Sequence, residues 1–371
     1  MPPDDTSFPA APVEITIDWL TSALRVSGAI SGTTTISHSV VEAIGDLGGV
    51  NGETYRIRIE YAHGEGPRSL IAKFPVDRPG ARRTAAFQRW YEREVSFYTT
   101  LAATSEMRVP ACFAASIDAN GDYVLLLEDL HALHDGDQLA GCSVEQAREA
   151  VRAIARLHAR WWNAPPPVSD AMPETTVGVD RAERVRNALE RVSIRATDRG
   201  LLPPAVAVHM PRFVEAYVAL LERMASAPVT VIHGDYRLDN VFFDEAMPRG
   251  DGVTSVAVID WQFLCRCRGM YDVGYFLGLD LDPADRRAHE RDLIASYLEV
   301  LRERGVEGYG AAEAWDDYRR ALLLGFAVFL IGAAGEQPNE RMARVHEIGV
   351  ARIATAIEET DAFAVLEAPR G

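Results

Sequence analysis

The chain has 371 residues, enough for about two domains or lobes, and about half of them are apolar. Its formal charge of −16 argues against nucleic acid or an anionic membrane surface as the main partner and is compatible with a cationic or neutral small substrate. No stretch approaches the roughly 18 uninterrupted apolar residues of a membrane span; the longest, Ala321–Ala334, suits a buried helix.

Met1–Pro12 is Pro-rich and acidic, lacks the basic-then-apolar order of a signal peptide, and reads as a flexible arm. Thr16 caps a short helix whose Ile17, Leu20 and Leu24 share one face. Val40–Ile44 and the alternating run Thr54–Tyr61 read as strands. Between them lies Gly45–Gly52, with Gly48, Gly49 and Gly52. Such a turn either lays backbone N–H groups over phosphates or is only a turn.

Ser69–Phe74 is a third strand. It ends near Lys73, the only lysine in the chain; the other 37 of the 38 basic residues are arginine. In a chain that uses arginine wherever it can, a single lysine marks either chance or a site that needs a compact ammonium. Its stem lies in an apolar run, and a covered ammonium needs an anionic partner. The predicted helix Thr84–Ala103 offers Glu94, the one charged residue on the stripe Phe87, Tyr91, Glu94, Tyr98, Leu101. A Lys73–Glu94 pair is expected; the alternative is a different buried face, with Trp90 or Val95 inside.

Asp122–Glu128 reads as a buried strand running into Asp129-Leu130, after which the pattern becomes helical. Ser143 and Gln146 form a capping box for Val144–Asn163. Further helices are expected over Arg181–Thr197, His209–Ala225, Tyr271–Leu279, Pro283–Arg304, Ala312–Ala334 and Asn339–Thr360. The expected division is an arm and short helix over 1–35, a strand-rich lobe over 36–129 and a helical lobe over 130–371. Cys112, Cys142, Cys265 and Cys267 lack metal-ligand spacing and read as free thiols of a reducing cytoplasm.

The stretch Val231–Trp261 carries the chemistry. Val241–Phe243 and Val253–Ile259 flank a Pro- and Gly-rich turn, Glu245–Gly252, which is a hairpin signature. Antiparallel pairing brings Asn240, before the first strand, to the same end as Asp260, after the second. Asp235 sits on a tight loop beside them. One base-like carboxylate plus two oxygen ligands for a hard cation is the equipment of phosphoryl transfer. Asp235 is then the base, Asn240 and Asp260 the Mg2+ ligands, and Lys73 held by Glu94 the grip on phosphates. Arg237 either reaches the transferring phosphate or pairs with Asp239 at the surface. His158, beside Trp161 and Trp162, reads as a core or loop-bracing histidine, and His131 and His134 as exposed loop residues. The twelve carboxylates between Gly269 and Asp317 either steer a cationic substrate or form solvated helix faces.

These residues resemble the aminoglycoside phosphotransferase and choline-kinase-like superfamily of small-molecule kinases over about Val40–Leu301. The family's catalytic motif, His-Gly-Asp-x-x-x-x-Asn, stands as His233-Gly234-Asp235-Tyr236-Arg237-Leu238-Asp239-Asn240. Its metal-binding Asp stands in Ile259-Asp260-Trp261, and the Asp that braces the catalytic loop looks like Asp272. The resemblance implies an α+β, bilobal protein-kinase-like fold, with a small β-rich first lobe that binds nucleotide and a larger helical second lobe. It also implies ATP and Mg2+ as cofactors and a small-molecule alcohol as acceptor, while the acidic charge and the lack of an apolar span lead to the expectation of no nucleic-acid or membrane partner. The segment Leu126–Leu130 is similar to the family's hinge, so the Glu128 carbonyl and the Leu130 amide would hold adenine. Leu127–Leu130, Arg156–Ala159 and Tyr271–Leu279 are most similar to the ecdysteroid-kinase-like branch. The chain departs from many antibiotic kinases in carrying Arg237 where they carry His, and its glycine loop follows no single family pattern. Two other readings stand beside this one: a kinase of a hydroxyacyl thioester or steroid-like alcohol, and a non-catalytic nucleotide-binding scaffold. The interval Trp261–Asp272 is too short to present a peptide, which disfavours protein phosphorylation.

Overall fold

The computed structural model describes residues 8–44, 52–164, 166, 172–174, 178, 181–198, 201–244, 255–335, 337 and 339–366. The chain forms two units: Met1–Ala103 with Val109–Ala132, and Thr104–Arg108 with Leu133–Gly371.

The first unit opens with α1 (Ile17–Val26), where the Thr16 side chain accepts from the Trp19 amide at 3.1 Å. An antiparallel sheet follows, made of β1 (Thr35–Ala43), β2 (Gly52–His63), β3 (Ser69–Pro75), β4 (Cys112–Ile117) and β5 (Tyr123–Glu128) in the order β1-β2-β3-β5-β4. Leu20 and Leu24 pack in one core with Ile57, Leu70, Ala72, Phe74, Val124 and Leu126. Each fully buried leucine contributes about 1.5–3 kcal/mol. Side chains alternate along β3, so Leu70, Ala72 and Phe74 enter this core while Ser69, Ile71 and Lys73 point to the opposite face.

The expected single helix over Thr84–Ala103 is several pieces. These are α2 (Pro79–Gln88), α3 (Trp90–Ser96), a π-helical turn at Phe97–Leu101 and a 3-10 turn at Ala102–Thr104. Arg89, at φ 56°, breaks the run. The break resets the helical phase, so Phe87 is 46% exposed whereas Tyr91, Glu94, Tyr98 and Leu101 are buried as expected, and Val95 is buried as well. Strand β4 has no clear period-2 signature in the sequence, and none was expected there.

At the end of β5, Asp129 accepts from Arg56 Nε at 2.7 Å, from the His131 amide at 3.1 Å and from the Ser69 hydroxyl. Burial works to raise its pKa, but these hydrogen bonds outweigh it and hold the carboxyl below its ordinary range.

The second unit contains β6 (His134–Asp135), α4 (Val144–Arg160), α5 (Ala182–Asp198), α6 (Pro204–Ala207), α7 (Met210–Ala225), β7 (Thr230–Ile232), β8 (Val241–Phe243), β9 (Val256–Val258) and β10 (Cys265–Cys267). It continues with α8 (Met270–Asp280), α9 (Pro283–Glu303), α10 (Ala311–Ala334) and α11 (Glu340–Glu359). The capping box at Ser143 and Gln146 is present. The hairpin register is Val241↔Val258, Phe242↔Ala257, Phe243↔Val256, and β6 adds to its outer edge. The turn Glu245–Gly252 and the first residues of the expected second strand lie outside the described residues. Cys265 and Cys267 are free thiols in β10, which pairs with β7. Among the described residues, no helix is long and apolar enough to cross a membrane.

Helix α8 is buried along its whole length and packs on α10. A charged cluster fastens its start. Asp317 of α10, fully buried, accepts from Arg268 at 2.8 Å, from the Tyr309 hydroxyl at 2.9 Å and from Arg320 at 2.8 Å.

Substitution tests both of these carboxylates. Asp317→Ala takes the paired carboxylate from Arg320 and leaves buried Arg268 with only the part-exposed Glu313 at 2.7 Å, and is expected to lower the unfolding free energy by about 3 kcal/mol in urea titration. Asp129 has a depressed folded pKa, so its stabilisation is present above its unfolded pKa of about 3.9 and is lost as pH falls through the folded value. The stability gap between wild type and Asp129→Asn should therefore be full at neutral pH and shrink below about pH 4.

Candidate active site

In the first unit, Lys73 Nζ lies 2.6 Å from Glu94 Oε1, with side-chain exposures of 14% and 1%. The expected pair is present because β3 turns Lys73 away from the α1 core while α3 turns Glu94 inward. Gly52 begins β2 opposite Pro75, on the strand that pairs Thr54 with Lys73. Gly48 and Gly49 lie outside the described residues. Glu128 ends β5, where its amide donates to the Ala111 carbonyl at 2.8 Å and its Oε2 accepts from the Ala111 amide at 3.1 Å. Leu130 is buried.

In the second unit, the loop 233–240 runs from β7 to β8. Gly234 has φ +83°, and a Cβ there would meet the Phe263 carbonyl oxygen at 2.4 Å, so no other residue fits without moving the backbone. His233 is fully buried. Its Nε2 donates to the Ile259 carbonyl at 2.9 Å, and its Nδ1 accepts from the Asp235 amide at 3.2 Å. Asp272 of α8 accepts from the His233 and Gly234 amides at 2.7 and 2.9 Å, and from His158 Nε2 at 3.2 Å. The histidine beside the tryptophans is thus a loop brace acting through Asp272, and it also contacts the Tyr297 hydroxyl at 3.0 Å.

Both oxygens of the Asp235 carboxylate are held. Oδ1 accepts from the Tyr275 hydroxyl at 3.0 Å, and Oδ2 accepts from Arg237 Nε at 3.2 Å and Asn240 Nδ2 at 3.1 Å. Asn240 Nδ2 also donates to the Asp235 carbonyl at 2.9 Å, which leaves the amide oxygen as its ligand-type atom. The Ile259 amide donates to the Asn240 carbonyl at 3.0 Å, so Asn240 and Asp260 do share one end of the hairpin. Asp260 has φ 66° and ψ 66°, a left-handed conformation that Asp tolerates better than most residues.

Arg237 bridges rather than chooses. It contacts Asp235, Asp239 at 2.9 Å and the Gln138 side chain at 2.8 Å, and none of this is at the surface. Burial opposes its charge, yet Asp235 and Asp239 outweigh burial and raise its pKa further. Arg341 of α11 holds both Asp239 oxygens at 2.9 Å and Asp137 at 2.9 Å. Asp280, buried behind the loop, accepts from the Leu238 amide at 3.1 Å. Burial and the neighbouring Asp239 charge push its pKa well up. His346 of α11 is shifted down by burial and by Arg237. Asp272, Asp280, Glu290 and Asp317 belong to the acidic stretch between Gly269 and Asp317, and all four are buried rather than on solvated faces. His131 and His134 are exposed, as expected.

Gln138 and Arg341 gave no sequence signal, because they reach the loop from distant segments. Tyr275 did leave one: it stands three residues after Asp272, on the same face of one helix.

The donor set suits a hard cation. Asn240 and Asp260 offer oxygen ligands, and among the described residues no group of three or more His, Cys, Asp or Glu is placed to hold a metal ion. Two protein oxygens match Mg2+, which usually takes its remaining ligands from phosphates and water.

Solved structures share this fold. A choline kinase from Cryptosporidium parvum Iowa II is 8% identical, with 93% of this chain and 96% of that chain covered and a TM-score of 0.55. The GDP complex of wild-type aminoglycoside 2'-phosphotransferase-IIIa is 14% identical, with 92% and 100% covered and a TM-score of 0.52. The GDP and kanamycin complex of APH(2")-IIIa is 14% identical, with 94% and 99% covered and a TM-score of 0.51. At these identities the likeness is one of fold: an α+β, bilobal protein-kinase-like fold with a β-rich N-terminal and a helical C-terminal region. No curated protein matches the chain. The profile of the phosphotransferase enzyme family, APH, matches residues 48–321, most of the chain, and the chain belongs to that family.

The strain at Asp260 is testable. Replacement by Gly removes the side chain without a left-handed penalty, whereas Ala carries one of about 1–2 kcal/mol. Asp260→Ala is therefore expected to be less stable than Asp260→Gly by about 1 kcal/mol in chemical denaturation, while both lose any cation-dependent activity.

Proposed function

We propose that this chain is an ATP- and Mg2+-dependent phosphotransferase that phosphorylates a hydroxyl group of a small molecule. The observation that carries the reading is the Asp235 carboxylate. It sits on a clamped loop, held at both oxygens, beside the hairpin end that carries Asn240 and Asp260.

Asp235 accepts the proton of the attacking hydroxyl as its oxygen bonds to the γ-phosphorus. The bond from the γ-phosphorus to the bridging oxygen breaks, and ADP leaves. Such a reaction depends on positioning and charge neutralisation more than on a strong base. Asn240 and Asp260 would hold magnesium, which when bound neutralises phosphate charge. Lys73, held in place by Glu94 at 2.6 Å, would meet the α- and β-phosphates. Gly48, Gly49 and Gly52 would cover the phosphates, and the Glu128 carbonyl and Leu130 amide would hold the adenine. Arg237 orients Asp235 and is itself anchored by Asp239. The family match supports phosphoryl transfer, and the nucleotide-bound and acceptor-bound structures of the same fold support a nucleotide donor and a small acceptor. The phrases Leu127–Leu130 and Tyr271–Leu279 favour the ecdysteroid-kinase-like branch. Four free thiols suit a reducing cytoplasm.

A panel of alcohols, aminoglycosides and hydroxyacyl thioesters, read by mass gain and ADP formation, is expected to identify an acceptor. Asp235→Ala should lower turnover by about 10²–10⁴-fold while the melting temperature and its MgATP-induced rise persist. Full activity in Asp235→Ala, or no magnesium-dependent stabilisation of wild type by ATP, removes the reading. Lys73→Arg is expected to weaken the MgATP shift, because a guanidinium fork does not replace a compact ammonium.

A further inference from the structure

We propose that Tyr275 is a positioning residue for phosphoryl transfer, its hydroxyl fixing the rotation of the Asp235 carboxylate. The inference rests on the reading of Asp235 as the base.

Arg237 and Asn240 both donate to Oδ2, and both belong to the same loop as Asp235. With these alone the carboxylate can pivot about Oδ2. Tyr275 reaches the other oxygen, Oδ1, at 3.0 Å from a different element, α8. One turn earlier on that helix, Asp272 holds the loop backbone at His233 and Gly234. A single rigid helix therefore sets the loop's main chain and its reactive side chain together.

The ring that carries the hydroxyl is itself immobilised. Tyr275 is 2% exposed, stacks on Tyr271 at 5.8 Å and 18°, and meets Phe329 edge-on at 5.7 Å. Gly325 of α10 leaves room for it: a Cβ there would lie 3.0 Å from Tyr275 Cδ2 and 3.0 Å from Ile353 Cδ1. Burial and the neighbouring Asp235 push the phenol well above its ordinary range, so it stays a donor.

Where the base chiefly orients the nucleophile, positioning contributes more to the rate than proton affinity does.

The test compares wild type, Tyr275→Phe and Gly325→Ala, with MgATP and each acceptor of the panel. Tyr275→Phe keeps the ring and removes the hydroxyl. Turnover is expected to fall about 10–100-fold, with acceptor KM and the MgATP-induced melting shift within about twofold of wild type. Gly325→Ala displaces the ring and keeps the hydroxyl. It should lower turnover in the same KM-neutral way by about threefold to tenfold, and it decides the matter if Tyr275→Phe does not fold. Wild-type turnover in Tyr275→Phe overturns this inference alone. So does a loss matched by an equal loss of nucleotide binding, which marks a structural role. Absence of transfer by wild type to every acceptor overturns the phosphotransferase reading and this inference with it.

Discussion

The second unit depends on one buried carboxylate. Asp272 has no contact with solvent, yet it accepts from two successive backbone amides, His233 and Gly234, and from the imidazole of His158. A buried negative charge is costly unless hydrogen bonds surround it, and three donors supply that compensation. The amides involved lie just beyond the β7–β10 ladder, so the same contact satisfies the loop and the carboxylate. Gly234 makes it possible, because its positive φ turns consecutive amides toward α8 and its missing Cβ admits the Phe263 carbonyl.

From that clamp the rest of the site follows by short covalent steps. Asp235 is one residue beyond the clamped amides, and Asn240, five residues on, folds back to bond both its carbonyl and its carboxylate. The hairpin then returns the chain to Asp260. Around this core the charges alternate: Asp235, Arg237, Asp239 and Arg341 form a chain of pairs, and Asp280 stands behind it with a raised pKa. Acidic residues that looked like a surface feature in the sequence are partly internal for this reason. They are counter-charges for arginines and anchors for backbone amides.

Much of the candidate site was legible in the sequence because its parts are close in the chain or chemically rare. The interval from Asp235 to Asn240, the hairpin and the closing Asp260 are local, and the pairing rule alone sets their common end. Lys73 stood out by being the only lysine, and Glu94 by interrupting an apolar face. The face was legible only from Tyr91 onward. Phe87 failed because a single left-handed residue, Arg89, breaks the phase, and nothing in an Arg side chain announces that. Strands β4, β7 and β10 were missed because their patterns are short and their partners are distant in sequence.

The sequence by itself determined which residue types stand at the strand ends and on the loop between them: a carboxylate, a carboxamide and a second carboxylate in one unit, and a lysine paired with a glutamate in the other. Periodicity and spacing suffice for that, since backbone geometry is the same wherever a strand or helix occurs. Only the tertiary structure decided how those groups are held. It placed Tyr275 on one oxygen of Asp235 and Arg341 on Asp239, and it turned His158 into a brace for Asp272. Those contacts join segments from 40 to more than 100 residues apart. They arise from the packing of α4, α8 and α11 around the loop, which no local pattern encodes.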